Sequence, residues 1–255
     1  MTVYLYTMHH EGHTKVKHIH RFASEYLMSW FPKLGSYQAF NNRLNKLGGA
    51  FTRLVEILLA DFQPDDCLLD QSLLDSMPNI TCSGKRSGKV AREITDKGFC
   101  STKGIYYYGL KLHLLGFRRI GKLPHPEQIL FTPASVNDVT VFKEAWSGIV
   151  NRTFWGDKIY FVNELNEQML KHQNSEMLTP VKAVKGMPEA IKQRIKAAND
   201  LFSTAVSKVR QPVEAIFNWL IEKADIQKAS KVRSTKGLMV HAFGRLATAF
   251  ITLAI

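Results

Sequence analysis

The hydrophobic pattern of this chain changes its period at Pro64. Before it, apolar residues recur at the spacing of one helix face; after it, they fall in short runs that stop at polar, acidic or turn-forming residues. His20 to Trp30 carries Phe22, Tyr26, Leu27 and Trp30 on one side, which predicts a helix broken by Pro32 and Gly35. Ser36 is placed to cap a second helix with Phe40, Leu44 and Leu47 on its apolar side. Gly48-Gly49 is expected to end it, and Phe51 to Phe62 to form a third.

After Pro64 the runs have strand character. Cys67 to Leu74 predicts a strand that gives way to a turn at Asp75 and Pro78. Asn79 to Ser101 is polar and basic. Ile105 to Leu115 and Gln128 to Thr132 predict two more strands, joined by a turn-rich connection over Arg118 to Pro126. A helix is expected over Val139 to Val150, and a very short strand over Thr153 to Trp155, ending at Asp157. Asn163 to Lys171 predicts a helix, Met177 to Val184 a strand, and Pro188 to Asp200 and Val209 to Ala224 two amphipathic helices. Helices followed by strands mixed with helices predict an α/β protein: a mixed central sheet flanked by helices over 63–255, behind a small helical region over 1–62.

Charge narrows the partner. Hydrophobic residues make up 45% of 255, normal for a globular chain, while the formal net charge is +12. So basic a balance calls for a polyanionic partner, nucleic acid or an anionic surface. The positive charge is grouped: Asn79 to Leu123 holds ten Lys/Arg against two Asp/Glu, and Thr179 to Gly237 twelve against five. Cys67, Cys82 and Cys100 are scattered and form no paired motif, so neither a disulfide framework nor a zinc site is expected and a reducing cytoplasm is the default. His10-Glu11-Gly12-His13 is one residue short of a zinc-helix motif. Gly237 to Ile255 is apolar for nearly a membrane span, but His241, Gly244 and Arg245 interrupt it; a buried packing helix is expected and no membrane.

Three carboxylates stand out. Asp75 (in LLDSMPN) and Asp157 (in FWGDKIYF) each follow an apolar run. Glu214 borders the apolar side of the helix RQPVEAIFNWLIEK, four residues after Arg210. Each taken alone also fits a plainer role, the aspartates as turn residues and Glu214 as half of a surface ion pair. Together, two strand-end aspartates and a helical glutamate supply the hard oxygen ligands of a two-Mg²⁺ phosphoryl-transfer site. Asp138 competes with Asp157 for the second position but is read as a helix cap. Gln38, Asn41, Asn42 and Arg43 share the polar side of the second helix, a surface for base edges in a major groove or equally a solvated face.

These segments, in order, carry a resemblance. With WFPKLGSYQAFNNRLNKL, GFCSTKGIYYYGLKLHLLG, ILFTPASVNDVTVF and LMVHAFGRLATAFI, the chain resembles the DDE transposases of bacterial insertion sequences, most closely the insertion-sequence 982 family, over nearly its whole length. The resemblance implies an RNase H-like catalytic domain and two Mg²⁺ ions, with Mn²⁺ as the substitute, held by Asp75, Asp157 and Glu214. It also implies cleavage and joining of DNA, both element ends and target, by a homodimer in the bacterial cytoplasm. Lys111, His113, Lys158 and Arg210, with Arg43, are the expected DNA contacts. Ile159 stands where the family usually has glycine and predicts extended chain there; Ser207 and Ile221 stand where related enzymes have Tyr and Lys. The N-terminus is short for the family, as if an opening helical segment were missing. A DNA-binding remnant without activity, and a nuclease on the same fold, are the competing expectations.

Overall fold

The computed structural model describes residues 1–101, 103–182 and 186–254. Its sheet is organised around one long strand, β1 (Leu68–Ser83). On one edge β1 pairs antiparallel with β3 (Ile105–Arg118). The far edge of β3 is shared, β2 (Asp96–Cys100) lying along its first half and β4 (His125–Pro133) along its second, both antiparallel. On its other edge β1 pairs parallel with β5 (Thr153–Trp155), and β5 with β6 (Glu176–Leu178). Read through β4, the order β4-β3-β1-β5-β6 leaves β3 as the strand that runs against the rest.

Helices cover both faces. Before the sheet come α1 (Thr2–Glu11), α2 (Val16–Tyr26), α3 (Tyr37–Asn45) and α4 (Gly48–Asp61). Within and after it come α5 (Asp138–Val141), which continues as a π-helical turn over Phe142–Trp146, then α6 (Asn163–Gln173) and α7 (Glu189–Ala224). The chain closes with α8 (Thr235–Met239), a π-helical turn over Val240–Gly244, and α9 (Arg245–Ala254). Strand alternation sends Leu73, Asp75 and Met77 to one face of β1 and Leu74 and Ser76 to the other. The first face packs Leu73, Met77, Leu112 and Leu114 against Val213, Ile216 and Leu220 of α7, in one cluster with Phe51, Leu246 and Phe250. The second packs Leu74 and Leu115 against Val141, Trp146, Phe154 and Tyr160.

Several expectations are corrected. Ser36 does cap α3, its hydroxyl accepting from the Ala39 amide, but α2 stops at Tyr26, and Leu27 to Trp30 form turns. Gly48-Gly49 begins α4 instead of ending α3: a Cβ on Gly48 would stand 3.1 Å from that of Met239, so the glycine permits close helix packing. β1 does not stop at Asp75; it runs on through Pro78. The Ile80 amide points away from β3, to the Gln227 carbonyl at 2.7 Å, so two residues earlier the missing donor of Pro78 faces the same way and costs the β1–β3 ladder nothing. β2 arises inside the polar basic segment, and β4 starts at His125 within the expected loop. β6 covers only Glu176–Leu178; Ala183 and Val184, at the end of the expected strand, lie outside the described residues. The two expected amphipathic helices are one, α7, with Pro212 inside it. Ile159 lies in a 3-10 turn, Lys158–Tyr160, not in extended chain.

The apolar C-terminal segment Thr235–Ala254 has the length and composition of a membrane span, yet most of it is buried in this fold. Arg245 donates to the carbonyl of Asp225 at 2.7 Å and to that of Thr14 at 2.8 Å, and His241 bonds the Ile226 carbonyl at 2.9 Å. The polar residues that interrupt the segment therefore tie it to α7 and to the α1–α2 turn.

Candidate active site

Asp75 sits in the middle of β1, on the face covered by α7, where both the strand and its packing fix its direction. Its Oδ1 accepts from the Ser76 amide at 2.8 Å and its Oδ2 from Arg210 Nη1 at 2.8 Å. Arg210 Nη2 donates to Glu214 Oε1 at 2.6 Å, one helical turn further along α7. One guanidinium therefore spans two carboxylates that are far apart in sequence. A planar fork of donors suits this bridging, which a lysine could not reproduce.

Asp157 follows β5, the parallel neighbour of β1, and starts the 3-10 turn by accepting from the Lys158 amide at 2.6 Å. Gly156 permits this tight exit, since a Cβ there would stand 2.9 Å from the Tyr160 ring. Asp157, Lys158, Arg210 and Glu214 line one cleft of about 670 Å³ together with Ser207, Lys208 and Gln211. Asp75 lies behind it, and burial raises its carboxyl to about 6; Arg210 and the Ser76 amide oppose that shift, while the charges of Asp138 and Asp157 add to it. Burial, more than the neighbouring carboxylates, therefore sets its raised value.

The other expected contacts divide. Lys158 and Arg210 stand in the cleft. Lys111 and His113 share a face as alternation requires, but it is the face opposite Asp75, and both turn inward. Lys111 Nζ donates to the Val136 carbonyl at 2.8 Å and to Asp138 at 3.0 Å. His113 is fully buried and bonds Thr132 at 2.8 Å; burial lowers it to about 4, so it is neutral at physiological pH. Here His113 is buried and Lys111 is half-buried at the α5 entry, both on the face of β3 away from Asp75. Asp138 is not the cap, because Asn137 accepts from the Val139 amide at 2.9 Å; Asp138 instead takes Lys111 and, at 3.0 Å, the Ser76 hydroxyl. Arg43 is exposed on α3 and donates to the Leu34 carbonyl, in a different part of the fold.

Tyr160 was not foreseen. It is fully buried, its hydroxyl has no hydrogen-bond partner, and burial with the charges of Asp138, Asp75 and Asp157 raises it well above the usual tyrosine range. A donor orphaned among aspartates is a feature of tertiary packing, and nothing in FWGDKIYF signals it.

The oxygen-rich donor set suits a hard divalent cation in kind. Among the described residues no three acidic, histidine or cysteine side chains are gathered closely enough to hold one, and Arg210 holds the space between Asp75 and Glu214. The fold thus sets Asp75 and Glu214 on one arginine and Asp157 in the same cleft as Glu214, without gathering the three into one cluster. Residues 69–235 match the family model described as transposase DDE domain. The match covers more than half of the chain and takes in Asp75, Asp157 and Glu214, and the protein belongs to that family. No curated protein and no solved structure matches the chain.

Proposed function

We propose that this protein cuts and joins DNA at the ends of an insertion sequence, of the 982 family, with an RNase H-like fold and the triad Asp75, Asp157 and Glu214. The observation that carries the reading is that, within the family's domain, Asp75 on the central strand and Glu214 on the covering helix share Arg210, while Asp157, beyond the strand's parallel neighbour, lines the same cleft as Glu214. The strand order, with β3 alone running against the others around β1, supports the RNase H-like assignment.

Asp75, Asp157 and Glu214 would hold Mg²⁺, or Mn²⁺ in its place. When bound, the cation supplies Lewis acidity for in-line displacement at phosphorus. The chain's own residues do the rest. Lys158 and Arg210 hold the phosphodiester in the cleft by charge, and Asp157 is kept in place by its bond to the Lys158 amide. Water cleaves one phosphodiester at each element end, leaving a 3′ hydroxyl and a 5′ phosphate. That hydroxyl then displaces a target phosphodiester oxygen, so no covalent protein intermediate is needed. A homodimer on DNA, in the cytoplasm, brings the two ends together.

The test is incubation with Mg²⁺ and a duplex carrying the element's own end, beside a scrambled duplex. End-specific cleavage with strand joining is expected, and Asp75→Ala abolishes both while still binding DNA. Unchanged cleavage in Asp75→Ala overturns the triad; cutting of both duplexes without joining marks a nuclease instead.

A further inference from the structure

The β2–β3 ribbon carries a feature that the acidic site does not use. Phe99 and Tyr106 pair across the ribbon, their rings 4.9 Å apart, and both are exposed, at 51% and 60%. Lys97, on the same face by alternation, places its ammonium 5.0 Å from the centre of the Tyr106 ring. Large aromatics usually gain stability by burial, so two left open side by side on the sheet, where β3 lies between β2 and the end of β1, mark a contact surface. The surroundings say which kind: Lys85, Arg86, Lys89, Arg92, Lys97 and Lys103 stand between Gly84 and Gly104 against Glu93 and Asp96 alone. A purely apolar partner would leave these cations without counter-charge.

We propose that Phe99, Tyr106 and Lys97 form a stacking platform for unpaired DNA bases, with the neighbouring Lys and Arg residues holding the backbone. Exposed aromatic rings take bases of any sequence on their π-faces, and interleaved cations track the phosphates. The platform shares a strand with the acidic site. Tyr106 precedes Leu114, the residue paired with Asp75, on the same face of β3, at a separation of roughly 26 Å for about 3.3 Å per residue. That is roughly eight nucleotide steps at about 3.4 Å each. The proposal rests on the reading of DNA as substrate and adds to it a site for melted or single-stranded segments near an element end.

The experiment measures binding of the full chain to a fluorescent 20-nucleotide single strand and to the duplex of the same sequence, by anisotropy over a range of salt. Phe99→Ala and Tyr106→Ala are each expected to weaken single-strand binding on the order of tenfold, with the salt slope and the duplex affinity unchanged. Lys97→Ala should lower the single-strand salt slope by about 0.7. Tyr106→Trp keeps the affinity, which separates stacking from a general loss of structure, and thermal melting confirms that these exposed variants fold. Single-strand binding equal to that of the parent in both alanine variants overturns the platform, as does an equal loss on single strand and duplex. Asp75→Ala binds the single strand like the parent under this proposal, so a chain that fails to cut DNA still tests it independently.

Discussion

At the scale of single residues, the fold keeps its buried histidines His241 and His113 neutral. His241 is 8% exposed, donates Nε2–H to Ile226, and lies close to Arg245; burial first and that cation second lower it to about 3. A base whose folded value is depressed takes up its proton only on unfolding. Its contribution to stability is therefore whole above the unfolded value of about 6.5 and is lost progressively as pH falls below it, the loss levelling off once the folded value is passed. From pH 7 to pH 5 the loss is about 2 kcal/mol for this group. His113, lowered to about 4, adds a similar loss over the same window. Urea unfolding of parent and variant at the two pH values checks this: His241→Gln should lose about 2 kcal/mol less than the parent between pH 7 and pH 5, the share of this one group. Equal pH dependence in parent and variant would show that His241 does not carry it. Of the candidate site, the sequence placed Asp157 just after a short strand and Arg210 and Glu214 one helical turn apart, while Asp75, expected at a strand end, lies within β1. The inward turn of Lys111 and His113 and the orphaned Tyr160 hydroxyl were not legible. They depend on which face of β3 the α5 entry covers, and alternation names two faces without saying which is open.

At the scale of elements, the local signals that misled were glycine and proline. Gly48-Gly49 looks like a helix stop but serves close packing on Met239, and Pro78 looks like a strand end but has its nitrogen on the edge of β1 away from β3. Both outcomes were set by a neighbour distant in sequence, which is why a local reading placed the elements yet misplaced their ends. Pro212 belongs to the same group. It lies inside α7 between Arg210 and Glu214, where it cannot donate to the Lys208 carbonyl four residues back, and its ring crowds that carbonyl. A proline inside a helix costs up to about 3 kcal/mol relative to alanine. That cost is tolerated at the point where α7 presents Arg210 to Asp75 and Glu214 to the cleft. Pro212→Ala should therefore raise the melting temperature by several degrees and lower DNA cleavage, as the regained bond to the Lys208 carbonyl resets the turn that aims Glu214. A stabilised variant with full cleavage would mean that the proline has no part in aiming the pair. A destabilised one would mean that the proline ring itself is needed for packing.

At the scale of the whole molecule, the expected boundary near residue 62 meets a core that crosses it. Val3, Tyr4, Ile19, Phe51 and Val55 from the first four helices lie in one cluster with Leu73 and Leu114 of the sheet, Val213 of α7 and Leu246 of α9. Phe51 is fully buried, with the Tyr4 ring 5.3 Å away. The C-terminal helix is the link, since α9 packs against α1, α4 and α7. Removing a buried phenylalanine costs about 3–5 kcal/mol through lost burial and the cavity left behind. If the helices and the sheet unfold as one cooperative unit, that loss is shared by residues that never touch Phe51. Native-state hydrogen exchange on Phe51→Ala measures this directly. Amides in the middle of α4 and amides of β1 around Leu74 are expected to show the same opening free energy in the parent, and the same decrease in the variant. A decrease confined to α1–α4, with β1 as protected as before, would instead establish 1–62 as a separate folding unit. In that case the candidate site would keep its geometry when the helices open. Equal decreases mean the reverse: any strain placed on the first four helices is carried through α9 and α7 to Arg210 and Glu214.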